Sequence, residues 1–440
     1  MSEPCTLVAF VESRTGGEVL ADPEGPTVLP SATVEPQTTE IQATIDRLLG
    51  GPAVLLRVTS LVLDAQDDEP VLIAVEASMS GEPPAPFRWN APELIAGRLR
   101  SEPLAEAFHW WRERRTHAGG PFEPAWAVPG WLERASAWMS QQMTALGNSP
   151  TDGPRMHYLW PLAALLVASG TGGRMLLKCP APTFATEATI TRLLAHRTPG
   201  AVTLVAAIEA DEGWLLMHDF GDRRLGDGPP ASWAAGLVRF AEIQLAWSED
   251  LEPLRAAGAR LRPIRPLAAH AESFVEDPAV PLTSEQRDRA RAALPRLVAA
   301  CEGLDALGPQ ESLIHGDLHP WNMVVGPEGP LIFDWSDAGI GHPFLDLPVF
   351  IAEAKDVADR LAIRAAYVDA WAMAWERSKV EAAADLALVV GALNQAQAYR
   401  QLMLDLDPHD HAWLHHADAA WLLVALDALE RGIELRRQGA

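Results

Sequence analysis

Three oxygen-bearing side chains stand close together in a short stretch of this 440-residue chain. Asp317 and Asn322 lie five positions apart in LIHGDLHPWNMVV (313–325), and Asp334 ends the apolar run PLIF after a turn at 326–329. Two apolar pieces around a polar loop, then a turn and another apolar piece, read as a hairpin-like unit. Such a unit would bring a carboxylate, an amide and a second carboxylate to one end of a small sheet. These residue types suit a hard divalent cation, which takes oxygen ligands, together with a carboxylate that orients an attacking hydroxyl. In that chemistry Asp317 is the candidate base, and Asn322 and Asp334 are the candidate metal ligands. Two protein ligands suffice when nucleotide phosphates and water complete the coordination.

Four stretches must position this unit. Residues 1–100 read as an α/β domain, with apolar runs at 7–11, 53–63 and 71–75 and a helix over 38–49. Residues 101–150 read as a helical connector rich in Trp, with Trp110, Trp111, Trp126, Trp131 and Trp138 at spacings that favour core over ligand stacking. Strand-like runs at 156–159, 163–168, 174–178, 203–209 and 214–218, interrupted by a helical candidate at 183–196, form a β-rich lobe over 151–222. From 223 to 440 helical periods dominate, apart from the segment carrying the three side chains. Two lobes of this kind leave a cleft in which a nucleotide could sit.

HGDLHPWN (315–322) followed by IFDWSDAGIGHPFLDL (332–347) resembles the catalytic motif, metal-binding strand and G-x-P-x-x-D-L turn of the aminoglycoside phosphotransferase and choline kinase families. The resemblance implies an α+β, bilobal protein-kinase-like fold with a small β-rich N-lobe and a large helical C-lobe, preceded here by the extra α/β domain. It implies Asp317 as catalytic base and Asn322 and Asp334 on Mg²⁺. His315 and His319 would support the catalytic loop, and Asp346 would bond backbone near the site or cap the next helix. Lys178 closes the strand after a Gly-rich turn and is one of three lysines in the chain, with Lys355 and Lys379. By the resemblance it would hold nucleotide phosphates, with Glu187 as its ion-pair partner; an ordinary strand-end Lys and helix-start Glu remain the plain alternative. The run GWLLMHDFG (213–221) resembles the family hinge, so Met217, His218 and Asp219 would border the base of ATP or GTP. His218 stands where the family has an acid.

The chain also departs from the family. No phosphate-clamping loop precedes Lys178, Trp321 replaces a Gly before Asn322, and the HRD, DFG and APE signatures of protein kinases are absent. The first hundred residues vaguely resemble a Nudix-type domain without its metal-binding acids. The acidic run at 404–411 is either a solvated loop or an acceptor surface. Asp337, Asp405, Asp407 and Asp410 are therefore candidates to meet an amine on the substrate.

The formal charge of −24 argues against binding a phosphate backbone and suits a small hydroxyl-bearing substrate, including a cationic one, as well as plain solubility. Cys5, Cys179 and Cys301 are widely spaced, which points to a reducing cytoplasm. No run is long and apolar enough for a membrane helix, so neither nucleic acid nor membrane is an expected partner. The oligomeric state leaves no sequence signal. The leading expectation is a small-molecule O-kinase that phosphorylates an aminoglycoside, aminosugar or related natural product. A choline-type acceptor would need an aromatic box, to which Trp371 and Trp375 are the only contributors in view. The alternative from another class is a nucleotide-binding pseudokinase acting as a regulatory or peptide-presenting partner.

Overall fold

A computed structural model of the chain describes residues 5–13, 17–25, 28–34, 38–51, 53–61, 72–79, 82–100, 102–116, 124–128, 130–307, 311–407, 411, 414 and 416–432. Two compact units emerge. One takes residues 1–183 with 405–415, the other 184–404 with 416–440.

The first unit begins with a six-stranded sheet. Its elements are β1 (Cys5–Ser13), β2 (Val19–Ala21), β3 (Ser31–Val34), β4 (Val54–Leu61), β5 (Leu72–Met79) and β6 (Arg88–Asn90), ordered β4-β5-β1-β2-β6 with β3 also on β1. β1 and β5 run parallel, and residues 7–11 of β1 are all buried, as expected of a central strand covered on both faces. Helix α1 (Thr38–Leu49) buries Ile41, Thr44, Ile45 and Leu49, one amphipathic stripe. Its Asp46 carboxylate accepts the Gln42 side-chain amide and the Ala53 N–H, so it pins the turn after the helix. Helices α2 (Pro92–Ala96), α3 (Glu102–Thr116) and α4 (Trp131–Ala145) follow. Trp111 joins Phe10 and Phe108 in the core of the sheet, and Trp126 meets Trp131 edge-on; all three Trp side chains are buried. The unit then forms an antiparallel meander of β7 (Arg155–Trp160), β8 (Ala163–Gly170) and β9 (Gly173–Pro180). Trp160 pairs with Ala163, which leaves only Pro161 and Leu162 to turn between β7 and β8.

The second unit opens with α5 (Glu187–Arg197), whose start lies later than the pattern suggested because a 3₁₀ turn occupies Pro182–Phe184. The hairpin of β10 (Val205–Glu209) and β11 (Trp214–His218) comes next, then α6 (Ala234–Ser248), α7 (Glu252–Ala256), β12 (Arg260–Arg262), α8 (Ile264–Glu276) and α9 (Ser284–Leu307). β13 (Ser312–Ile314) and β16 (Gly339–Gly341) complete a three-stranded sheet ordered β12-β16-β13, and β14 (Met323–Gly326) pairs with β15 (Gly329–Ile332). Helices α10 (Leu347–Ala352), α11 (Val357–Trp371), α12 (Arg377–Asp405) and α13 (Ala417–Arg431) close the chain. α12 is buried on all sides over residues 387–396, as a helix at the centre of a core must be. The order of elements is that of the bilobal protein-kinase-like class, α+β, with an extra N-terminal α/β domain. Among the described residues no helix is long and apolar enough to cross a membrane.

Candidate active site

β13 delivers the chain into the loop at 315–322, and the β14–β15 hairpin carries it from there to Asp334. Met323 pairs with Ile332, and Phe333 donates its N–H to the Asn322 carbonyl at 3.1 Å. That register sets Asn322 and Asp334 at the same open end of the hairpin. Asn322 donates its side-chain amide to the Asp317 carbonyl at 3.0 Å and reaches the Asp317 Oδ2 at 3.5 Å. With Nδ2 so committed, Oδ1 is the atom Asn322 can offer a cation. Asp334 sits at φ 63°, a left-handed conformation that Asp tolerates better than most residues, and its Oδ1 accepts the Ser336 hydroxyl at 2.7 Å. An amide oxygen and a carboxylate are the hard donors Mg²⁺ prefers. Among the described residues no group of three or more His, Cys, Asp and Glu gathers to hold a metal alone, so nucleotide oxygens and water would have to complete the shell.

The loop itself is tightly fastened. Asp346 is buried and accepts the His315 N–H and the Gly316 N–H, each at 2.8 Å, one on each oxygen. It makes no side-chain cap on α10, which follows it. Burial pushes its carboxyl up to about 7, against these two hydrogen bonds, which favour the ionised form. Gly316 has φ 87°, and a Cβ there would meet the Asp337 carbonyl oxygen at 2.5 Å. His315 is fully buried; its Nε2 lies 3.0 Å from the Phe333 carbonyl and its Nδ1 accepts the Asp317 N–H at 3.4 Å. A carbonyl can only accept, so the proton is assigned to Nε2, and burial lowers the imidazole to about 4. His315 therefore holds the loop as a neutral ring.

His319 Nε2 stands 3.6 Å from the Asp317 Oδ2. Burial alone would push Asp317 up and His319 down. The attraction between the two groups outweighs it, leaving Asp317 below and His319 above their ordinary values. Asp317 is about a third exposed (36%), so its carboxylate is open to solvent.

Several neighbours left no signal in the sequence. Phe220 and Phe333 stack at 4.9 Å, and the Arg224 guanidinium lies 4.4 Å from the centre of the Phe333 ring, beside Asp334 in sequence. Burial lowers Arg224 despite the nearby charges of Asp227, Asp222, Asp334 and Asp219. Gln244 on α6 donates to the Leu313 and Pro343 carbonyls, both at 2.9 Å, and its Oε1 receives the Tyr367 hydroxyl at 2.6 Å and the Trp371 indole N–H at 3.3 Å. Trp371 is therefore core, not one wall of a box for a quaternary amine.

Trp321 lies against Gly226 and meets the ring of Trp233 edge-on at 5.6 Å while remaining 40% exposed. Met217 is buried at the end of β11. The exposed His218 commits its N–H to the Leu204 carbonyl, and Asp219 accepts the Gly221 N–H in a tight turn. Glu187 is buried in the first turn of α5, in the second unit; Lys178 lies near the end of β9, in the first.

Two acids expected at an acceptor amine are already engaged. Asp337 meets Arg260 at 2.8 Å and Arg262 at 3.5 Å, and burial raises its carboxyl in spite of them. Asp407 is buried against Arg57 at 3.6 Å in the first unit, where Asp405 also accepts the Thr183 hydroxyl. Asp410 lies outside the described residues.

Two carboxylates and an oriented amide gathered about one loop and hairpin, within this fold, are those of a phosphotransferase that uses an alcohol group as acceptor. Residues 165–383 match the model of the phosphotransferase enzyme family. No curated protein matches the chain. Among solved structures, the macrolide 2′-phosphotransferase MphH from Brachybacterium faecium is similar at 18% identity and TM-score 0.47, over 65% of this chain and 97% of that one. A type I macrolide 2′-phosphotransferase follows at 17% identity and TM-score 0.45, over 64% and 95%. Choline kinase LicA from Streptococcus pneumoniae is similar at 12% identity and TM-score 0.42, over 64% and 96%.

Proposed function

We propose that this small-molecule kinase transfers the γ-phosphoryl group of Mg-bound ATP or GTP to a hydroxyl of a sugar-like acceptor, an aminoglycoside, aminosugar or related natural product. The observation that carries the reading is the Asp317–Asn322 contact, a base and a metal-type ligand held by one loop. In this mechanism Asp317 orients the acceptor hydroxyl and takes its proton as the oxygen attacks phosphorus. The depressed carboxyl keeps Asp317 ionised for that step, and His319 steadies the charge. Asn322 Oδ1 and the Asp334 carboxylate would hold Mg²⁺, which when bound neutralises the phosphate oxygens. Lys178 is the proposed phosphate cation, and the 217–219 segment borders the base. The test is nucleotide turnover in the full chain with Asp317→Ala. Mg-dependent hydrolysis should fall by about 10²–10⁴-fold while nucleotide binding persists. Unchanged turnover in Asp317→Ala would sink the assignment.

One observation favours a second reading, a nucleotide-binding pseudokinase that serves a partner. The two-residue turn Pro161–Leu162 is too short to wrap phosphates as a Gly-rich loop does. If nucleotide binds yet no Mg-dependent turnover is found in the unaltered protein, with or without acceptors, this reading replaces the first.

A further inference from the structure

Trp321 is placed unlike the other tryptophans of the chain. Among the described residues it is the one tryptophan that lies largely open, at 40% exposed, while the others are buried or partly buried. A single exposed apolar side chain is ordinary on a protein surface. This one has a seat made for it, and it stands beside the candidate base.

The seat is a glycine. Gly226 lies in the 3₁₀ turn Leu225–Asp227, and a Cβ there would come within 2.6 Å of the two carbons shared by the indole rings. No positive φ calls for glycine at this position, so the close approach of the indole is what excludes a larger residue. The turn is held from behind. Buried Trp233 donates its indole N–H to the Gly228 carbonyl at 3.1 Å and meets Trp321 edge-on. Arg224 pairs with Val324, and the Val325 N–H bonds the Arg223 carbonyl at 3.0 Å, which ties the turn to β14, the strand after Asn322. One part of the indole is thus packed on fixed backbone, and the rest is open.

The open part is close to the chemistry. Trp321 immediately precedes Asn322, and His319 alone separates it from Asp317. The imidazole centre lies 6.3 Å from that of the Trp321 ring, and its Nε2 stands 3.6 Å from the Asp317 Oδ2. All of these residues belong to the second unit. An acceptor with a hydroxyl at Asp317 therefore has a neighbouring ring within reach of the indole. A quaternary ammonium is recognised by an aromatic cage, and with Trp233 buried only one of these two indoles offers a wall. A single wall suits the flat apolar face of a sugar ring, which covers aromatic area while its hydroxyls stay in water.

We propose that Trp321 is a shelf for the phosphoryl acceptor, and that the acceptor carries a sugar ring whose C–H face stacks on the indole while a hydroxyl meets Asp317. The phosphorylation of that hydroxyl rests on the kinase reading above; the stacking does not.

The full chain is compared with Trp321→Ala, Trp321→Phe and Gly226→Ala. Binding of kanamycin, maltose and choline is titrated by saturation-transfer NMR, and transfer of labelled phosphate gives the KM of whichever is phosphorylated. Kanamycin or maltose should bind, and more tightly than choline. Trp321→Ala should weaken that binding and raise the acceptor KM by about tenfold or more, as truncating a central Trp contact does. Trp321→Phe should recover most of the loss, because a flat face remains. Gly226→Ala keeps the indole but pushes it off its seat, and should also weaken binding. The nucleotide KM should not follow these changes. Choline bound more tightly than either sugar, neither sugar bound, or sugar binding equal in the parent and Trp321→Ala overturns the proposal. A nucleotide KM that rises in step with the acceptor KM also overturns it. If Trp321→Ala does not fold, equal sugar binding in the parent and Gly226→Ala does so instead. A sugar whose binding is lost in Trp321→Ala, yet which is never phosphorylated, keeps the shelf and removes the kinase reading.

Discussion

Asp346 grips Gly316 from 30 residues away: its Oδ1 accepts the Gly316 N–H at 2.8 Å while Oδ2 takes the neighbouring N–H of His315. Two adjacent backbone donors at the root of the 315–322 loop thus share one buried carboxylate. Asp346→Asn replaces one acceptor by an amide that can only donate, and strands one of the two N–H groups. An unsatisfied buried donor costs about 1–3 kcal/mol. Urea unfolding should show a loss of that size, and turnover should drop because the backbone carrying Asp317 loosens. If both stability and turnover are unchanged, the clamp has no role.

The same carboxylate and its neighbour His315 make a pH prediction with opposing signs. Asp346 is raised in the folded state to about 7, so its contribution is full below the unfolded value of about 4 and is lost as pH rises towards 7. His315 is lowered to about 4, so its contribution is full above about 6.5 and is lost as pH falls to 4. Between about pH 4 and 6.5 the two slopes, each about 1.4 kcal/mol per pH unit, cancel in the unaltered protein. Asp346→Asn uncovers the His315 slope. The stability of the parent minus that of the variant should decline as pH rises from 4 to 7, measured by urea unfolding at each pH. A flat or rising difference would refute the assignment.

Much of this was legible because spacing maps directly onto local geometry. The helix over 38–49 has those bounds, and the strand runs at 156–159, 163–168 and 174–178 fall inside β7, β8 and β9. Asn322 and Asp334 flank one hairpin and Asp317 sits in the loop that leads into it, so their sequence separations already implied proximity. Partners from distant elements carry no such signature. Gln244 reaches β13 and the Pro343 turn across 69 and 99 residues, and nothing in the local pattern of α6 marks it. The acids at 337 and 407 looked available because a sequence does not show Arg260, Arg262 or Arg57 beside them. The helix that the spacing predicts over 183–196 starts only at Glu187, because Pro182 opens a 3₁₀ turn that the apolar spacing alone does not reveal.

That buried network around Gln244 should be strongly coupled. Tyr367→Phe removes one hydroxyl and leaves Gln244 with the Trp371 indole, a loss of about 1 kcal/mol. Gln244→Leu takes the amide donor from the Leu313 carbonyl and the acceptor from the Trp371 indole N–H, while the Tyr367 hydroxyl keeps its 2.8 Å bond to the Pro343 carbonyl, a loss of about 2 kcal/mol or more. In a double-mutant cycle by chemical denaturation, the two losses should fall short of additivity by at least about 0.5 kcal/mol. Strict additivity would mean that the pair does not interact.

Gly316 sets the sharpest steric limit in the loop. Its φ of 87° strains any residue with a side chain, and the Asp337 carbonyl oxygen 2.5 Å from a Cβ is backbone, which cannot swing aside. Yielding at Asp337 would in turn pull on Arg260, which holds that side chain at 2.8 Å. Gly316→Ala should therefore cost more than the roughly 1 kcal/mol of left-handed strain alone. Turnover should fall with nucleotide affinity largely kept, because Asp317 moves while the β10–β11 hairpin does not. Circular dichroism melts and nucleotide titration of the variant test both halves. A Gly316→Ala protein with parental melting and turnover would show that the loop has slack that its contacts do not suggest.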